Sequence, residues 1–349
     1  MQNDRPAERT VWRRQPGSRT LARTTEIIPV TLPPTSVLIR VHTVSLNYMD
    51  NNIINGTNPW PVLERGIPCS DAAGKVIALG SHVSRFRVGD HISPILDRAS
   101  ITGDEQIRKW TGGEIEGVLA SHIVVDQEQC VMIPHHLTWT EAACLPNAGV
   151  TAWSALKDLN RISAGQTVLL QGTGGVSMMA FKLALAAGCK VIITSSSDEK
   201  LQHVRQVARK GVVQTINYRT VPAWENEAIS LNGGRGVDIV IENGGTSSLL
   251  QSLKAVSKGG TISQVGYLGK QDPADLAGFI SLLIDKTVHL RGINVGSRQD
   301  FQEMNKLICA TGLRFEDIVY QVFPVNQVQE AFDVLQSGTH VGNVVIKLI

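Results

Sequence analysis

The sequence predicts an α/β protein of two domains, a strand-rich, barrel-like β domain followed by a parallel sheet with helices on both faces. Three observations predict it. From Val37 to about Val131 the chain is a series of short β-branched runs broken by Gly, Asp and Pro. Further along, strand and helix patterns alternate, which is the signature of a parallel, doubly wound sheet. The 349 residues, 42% of them hydrophobic, can fill one large core or two ordinary ones.

Taken in order, residues 1–24 hold six arginines. The stretch "TVWRRQPGSRTLARTTEIIPV" reads as two short strands around Pro16-Gly17, while its basic, acid-poor character also matches a transit peptide. The runs "SVLIRVHTVSL", "AAGKVIALG", "GDHISPI" and "ASHIVVD" predict antiparallel strands. Between them, residues 97–117 are polar, aperiodic and long for a plain connection, which predicts a functional loop or lid. At Thr140 the period turns helical through "TEAACLPNAGVTAWSALKDL", with Thr138 or Thr140 as N-cap and Glu141 in the first turn. Then follow strand "QTVLLQG", helix "VSMMAFKLALAAG", strand "KVIITSS", a helix "DEKLQHVRQVARKG" ending at Gly211, and strands in "VDIVIENGG" and "GTISQVGYLG".

Composition excludes several functions. Lys and Arg number 33 against 31 acids, a formal charge of +2 that provides no field for nucleic acid or an anionic membrane. No apolar run reaches the roughly 18 residues that span a bilayer. The five cysteines are scattered and form no CxxC pair, so neither a disulfide framework nor a zinc knuckle is indicated. A soluble, cytoplasmic protein is expected.

"QGTGGVS", 171–177, carries the chemistry. Gly172, Gly174 and Ser177 occupy the glycine positions of GxGxxG between a buried strand and a helix, the context that makes the motif a dinucleotide site. The first two glycines serve the turn and the approach of pyrophosphate, and the third serves helix packing. Only the third is altered. A serine hydroxyl there can bond back to a carbonyl of the preceding turn, leaving Thr173 and the amides of Gly174, Gly175 and Val176 to meet an anion at the helix N-terminus. At the end of the next strand an NAD site places a carboxylate for the ribose 2′-hydroxyl. This chain has Thr194, Ser195, Ser196 and Ser197, then Lys200, with Tyr218 and Arg219 after the third strand. Those groups suit a 2′-phosphate and point to NADPH, although the serines also suit a helix cap before Asp198.

With these motifs in view, the chain resembles the medium-chain dehydrogenase/reductases, in their zinc-independent, quinone oxidoreductase-like branch. "SLNYMD", "IPCSDAAGKVIALG", "RFRVGD", "LPNAGVTAW", "QGTGGVS", "INYR", "GGRGVDIVIENGG" and "VGNVVIK" occur in the family's order over nearly the whole chain. The resemblance implies a GroES-like β-barrel-type catalytic domain over 1–150, completed by 298–349, and a Rossmann domain over 151–297, with the cofactor in the cleft between them. Zinc-dependent relatives hold catalytic zinc with Cys, His and Cys. The matching positions here are Asn47, Ser70 and Asn147, which are not normal zinc ligands, and no cysteine stands in 97–117 for a structural zinc. No metal is expected. His42, His122, His135 and His136 read as packing or surface residues.

Without a Lewis acid, hydrogen-bond donors must polarise the acceptor oxygen. The segment "NYMDNN" holds the candidates, Asn47, Tyr48 and Asn52. The resemblance places Asn47 at the nicotinamide ribose or substrate and Asn52 where related reductases carry a pocket tyrosine; Tyr48 is either a donor or cleft-edge packing. It also implies that Thr151, Asn243, Gly266, Tyr267, Leu268 and Asn294 line the nicotinamide side. Asn343 stands where the family usually has lysine. Trp60, Trp110, Phe279 and Leu282 are either walls for an apolar carbonyl substrate or core. In this family the strand that "TVHLRGINVGS" matches pairs with its copy across a two-fold axis, so the resemblance implies a homodimer, the alternative being an ordinary last strand of the sheet. Three functions remain open: an NADPH-dependent enone, quinone or carbonyl reductase, a secondary-alcohol dehydrogenase, and an NADPH-binding protein without turnover.

Overall fold

The computed structural model describes residues 5–157, 162–208 and 212–349. The chain divides into two compact units, Met1–Val150 with Val295–Ile349, and Thr151–Asn294.

In the first unit, strands Val319–Pro324, Asn343–Lys347, Ser36–Leu46, Asp71–Leu79, His91–Pro94 and Cys130–Met132 lie side by side in that order, and His122–Asp126 also pairs with Ser36–Leu46. Every pair is antiparallel except the first. The Ser36–Leu46 strand organises this sheet because its β-branched run is buried along most of its length. Register shifts at Leu38/Ile39 and Val41/Thr43 bend it, so that His122–Asp126 borders its first half and Asn343–Lys347 its second. Val37, Ile39, Val41, Ile92, Phe323 and Phe332 fill the core so enclosed.

The arginine-rich stretch is a hairpin, Glu8–Arg14 against Leu21–Ile27. Glu26 binds Arg9 at 2.8 Å and Arg13 at 2.6 Å. Arg14 is buried and donates to the carbonyls of Gly112 and Leu63. Charge that looked like a targeting signal is thus used in fold contacts. Residues 97–117 form no regular strand and are tied by two isolated bridges, Asp97 with Trp110 and Thr111 with Ile115. Thr138, not Thr140, caps the next helix: its hydroxyl accepts from the Glu141 N–H while the Glu141 carboxylate accepts from the Thr138 N–H.

In the second unit, strands Val213–Asn217, Lys190–Ser195, Thr167–Gln171, Val237–Glu242, Val256–Gln264 and His289–Gly292 form a parallel sheet in that order. Numbered within the unit this is 3-2-1-4-5-6, the Rossmann order, with its switch point between Thr167–Gln171 and Val237–Glu242. Helices Gly175–Ala186, Asp198–Val207, Trp224–Leu231 and Thr246–Ala255 supply the crossovers. Leu169, Ile192, Val240 and Leu253 belong to the core of this unit, and Phe279 and Leu282 pack against it. The expected helix end at Gly211 lies outside the described residues, and the helix is described to Val207. No helix among the described residues is long and apolar enough to cross a membrane.

Candidate active site

The carboxyl edge of the parallel sheet gathers most of the residues expected to meet a dinucleotide. Strand Thr167–Gln171 ends in Gly172, whose φ of +75° is the left-handed conformation that a side chain disfavours. Gly174 follows as an extended N-cap with no side-chain cap on the helix amides. A Cβ built on Gly172 or Gly174 meets nothing within 4 Å, so the turn borders open space. Backbone N–H groups at an uncapped helix N-terminus beside open space fit a pyrophosphate.

Ser177 behaves as a substitute for glycine. It is buried, and its hydroxyl donates to the Gln171 carbonyl at 2.7 Å. Asn243 Nδ2 donates to that carbonyl at 2.9 Å and to the Ser177 hydroxyl at 3.2 Å. Beneath this turn lies a network that the motif did not announce. Glu242 is fully buried. One of its oxygens accepts from the N–H groups of Gly244 and Gly245 and from the Ser248 hydroxyl. The other accepts from Gln171 Nε2 at 2.6 Å and from Ser252. Gln171 Oε1 accepts the N–H groups of Asn243 and Gly244 at 2.9 and 3.2 Å. The signal that could have found it is a polar residue at the end of each of the two strands that flank the switch point.

At the end of the neighbouring strand Ser195 is buried, Ser197 caps the helix by accepting the Lys200 N–H, and Asp198 is engaged by Asn217 Nδ2 at 2.9 Å. Burial lowers the pKa of Lys200. Tyr218 is exposed, and its N–H donates to the Ser195 carbonyl. Gly266, Tyr267 and Leu268 follow strand Val256–Gln264, where the Leu268 N–H donates to the Asn243 carbonyl; Tyr267 and Leu268 are exposed. Asn294 is exposed after the last strand, while Thr151 and Thr173 are buried.

The first unit holds a second polar cluster. Asn47 caps helix Tyr48–Ile54, and its N–H donates to Asp50 Oδ2 at 2.8 Å. Asp71 Oδ1 accepts the Ser70 hydroxyl at 2.6 Å, and Oδ2 accepts the Asn147 N–H at 2.8 Å. The Asn47 side chain lies close enough to favour the ionised form of Asp71, but its Nδ2 makes no hydrogen bond of acceptable geometry and is buried. The three residues expected at the ligand positions of zinc-dependent relatives, Asn47, Ser70 and Asn147, thus adjoin one carboxylate. Burial pushes the Asp50 and Asp71 carboxyls up to about 7. Cys69 between them has φ +68°, a strained value for a non-glycine residue. Its backbone is wedged under Gly112 and Gly117, where an added Cβ would meet the Cys69 carbonyl oxygen at 2.7 and 2.4 Å.

Two amides and a hydroxyl around one carboxylate do not fit the donor set of a catalytic zinc. Among the described residues no three of His, Cys, Asp and Glu group as a metal site. His42 stacks on Trp139 at 4.2 Å, His122 contacts the Ser121 hydroxyl, and His136 bonds the Leu313 carbonyl. Tyr48 is exposed, whereas Asn52 is half-buried with its carbonyl accepting the Thr57 N–H. Asn343 is buried and donates to Ser45 within the β unit. Trp60 and Trp110 meet edge to face at 4.7 Å, with Arg108 over both rings.

Comparison with known proteins agrees with the fold. The alcohol dehydrogenase GroES-like domain family matches residues 33–135, and the zinc-binding dehydrogenase family matches residues 175–310. The chain is 35% identical over 327 residues to a zinc-type alcohol dehydrogenase-like protein of Schizosaccharomyces pombe, covering 92% of this chain and 93% of that one. It is 27% identical over 321 residues to the quinone oxidoreductase of Sus scrofa, covering 89% of each. A solved chain from Sinorhizobium meliloti 1021, assigned as an alcohol dehydrogenase, superposes with a TM-score of 0.88 at 31% identity, covering 99% of this chain and 100% of that one. With its GroES-like unit and its Rossmann sheet, the chain belongs to the medium-chain dehydrogenase/reductase superfamily, a family of nicotinamide-dinucleotide oxidoreductases.

Proposed function

We propose that the chain is an NADPH-dependent, zinc-independent reductase that passes hydride to an α,β-unsaturated carbonyl, a quinone or a related apolar carbonyl. The observation that carries this reading is the polar cluster around Asp71, where the Ser70 hydroxyl and the Asn147 N–H donate to the carboxylate and Asn47, Ser70 and Asn147 offer no ligand set for a Lewis acid. The bound nicotinamide supplies the hydride. The protein must then stabilise charge developing on the acceptor oxygen, and the loss of one such donor costs about 3 to 4 kcal/mol in the barrier. Asn47 Nδ2, buried without a partner, and the exposed Tyr48 hydroxyl are the donors proposed for that oxygen. Acceptors that delocalise charge need less polarisation than a simple ketone, which favours enones and quinones.

For the cofactor, the proposed pyrophosphate cradle is Gly172–Val176, and the 2′-phosphate meets Ser195, Ser196, Lys200 and Tyr218. No carboxylate occupies the end of strand Lys190–Ser195, where the NAD ribose would need one. Strand His289–Gly292 has a neighbour on one side only among the described residues, which supports pairing with its copy in a homodimer. Four of the five thiols are buried and all are free, which suits the cytoplasm.

Oxidation of NADPH and of NADH with a quinone, an enone and a ketone tests the reading. Turnover is expected with the first two acceptors and NADPH. Lys200→Glu should raise KM for NADPH about tenfold while leaving KM for NADH within about twofold. Equal effects on both cofactors would refute the 2′-phosphate site. Turnover confined to secondary-alcohol oxidation would favour a dehydrogenase, and NADPH binding without turnover a binding protein.

A further inference from the structure

The buried pair Glu242 and Gln171 has no part in the GxGxxG motif, yet it joins the two turns at the switch point. Glu242 sits inside the fold with no cation beside it among the described residues, and each group that touches its carboxylate is a hydrogen-bond donor: two backbone N–H groups, two hydroxyls and the Gln171 amide. Its acceptor character fixes the orientation of Gln171. The Gln171 nitrogen must face Glu242, so Gln171 Oε1 must face the N–H groups of Asn243 and Gly244. Asn243 is thereby held with its Nδ2 on the Gln171 carbonyl and the Ser177 hydroxyl, at the root of the glycine turn.

From this chain of contacts we infer that Glu242 is a positioning residue for the dinucleotide, acting through Gln171 to set the shape of the Asn243–Gly245 turn and of the Gly172–Val176 cradle. The inference rests on the reading of that cradle as the cofactor site. In a Glu242→Gln variant the new amide must keep its oxygen on the Gly244 and Gly245 N–H groups, which turns its nitrogen toward the Gln171 nitrogen. Gln171 can relieve the clash only by flipping, and the flip takes Oε1 away from Asn243 and Gly244. Gln171→Glu produces the complementary fault, two carboxylates face to face. Together the substitutions restore the pattern: the amide introduced at position 242 donates to the carboxylate introduced at position 171, which still accepts the N–H of Asn243.

The test measures Kd for NADPH by fluorescence titration on the full-length wild type, E242Q, Q171E and the double variant, with Tm for each. Each single variant should bind NADPH at least tenfold more weakly, and the double variant should return to within about threefold of the wild type. Loss of Tm in the single variants with unchanged Kd would overturn the inference and leave the pair a stability element, as would a double variant no better than the singles. Where E242Q or Q171E does not fold, S248A, which removes one donor from Glu242, gives the graded result: a Kd two- to fourfold higher is expected, and an unchanged Kd counts against the inference. Wild type that fails to bind NADPH would refute the cofactor reading itself, an outcome separate from unchanged Kd in variants of a wild type that binds.

Discussion

The turn at 172–176 and the cluster around Asp71 are both polar, but they differ in what their polar groups face. The turn borders open space, presents a helix N-terminus with no side-chain cap and contains no charged side chain; the cluster turns hydroxyl and backbone donors inward onto buried carboxylates. The first is shaped for an anion that comes from outside, whereas the second is already largely satisfied by the protein's own acceptors. The comparison teaches that binding and stability should separate cleanly between the two. A change at the turn should alter affinity without altering the fold, and a change in the cluster should reach the fold first.

The largest effect expected from this contrast is at Gly174. Its φ of −76° is open to any residue, and a Cβ there meets no atom within 4 Å. Gly174→Val should therefore leave Tm within about 2 °C of wild type while its methyl groups occupy the space proposed for the pyrophosphate, weakening NADPH binding by at least a hundredfold. Tm and fluorescence titration on one preparation read both quantities. Unchanged affinity would mean that the anion does not approach Gly174, and a large fall in Tm would erase the contrast between the regions.

The reverse pattern is expected in the cluster, and pH exposes it. Asp50 and Asp71 are raised from 3.8 to about 7 chiefly by burial, with Arg14 opposing the shift at Asp50, and the buried thiols of Cys69 and Cys144 are held up by burial and by these carboxyls. A raised native pKa means that the folded state holds its proton where the unfolded chain has lost it. Stability then falls as pH rises from about 4 to 7 and levels off above that window. One isolated group shifted so far corresponds to about 4 kcal/mol, and a coupled pair titrates in two steps that belong to both. Asp50 Oδ1 has no hydrogen-bond partner, while both Asp71 oxygens accept donors. Asp50→Asn should accordingly be tolerated and should reduce the pH dependence of Tm between about 4 and 7 by about half. Asp71→Asn should remove one of the two titrations as well, but should cost about 2 kcal/mol at the acid end of that window by replacing an accepting oxygen with a donating nitrogen. Chemical denaturation at several pH values checks both, and equal behaviour of the two variants would show that the carboxyls are interchangeable.

How much of this was legible in the sequence follows the same division. The fold was legible because its signals are local and repeated: alternating β-branched runs, helices closed by caps such as Thr138 and Ser197, and a glycine turn between strand and helix. The glycine turn between strand and helix was legible because backbone shape is announced by glycine. Even the departure at Ser177 could be read forward to a bond with a preceding carbonyl. The Glu242–Gln171 pair was not legible, since the partners are 71 positions apart and meet only because their strands are neighbours at the switch point. Asp71 was hidden for a related reason: the sequence shows that Asn47, Ser70 and Asn147 are poor zinc ligands but not that a carboxylate adjoins all three. The two N-terminal strands were legible from the runs around Pro16-Gly17, but the use of the arginines was not, since their ion pairing shows only when Glu26 is seen beside Arg9 and Arg13.

The smallest effect sharpens the comparison most finely, because Ser177 belongs to the turn by sequence but to a buried network by contact. Ser177→Ala removes the hydroxyl that donates to the Gln171 carbonyl, yet Asn243 Nδ2 still reaches the same carbonyl at 2.9 Å. One neutral hydrogen bond of this kind contributes about 1 kcal/mol, partly offset by the better helix propensity of alanine. Tm should fall by no more than about 3 °C, and Kd for NADPH should rise by less than about threefold. A tenfold loss of affinity would show that the serine hydroxyl itself faces the cofactor, and the division between an outward backbone cradle and an inward side-chain network would have to be redrawn through this residue.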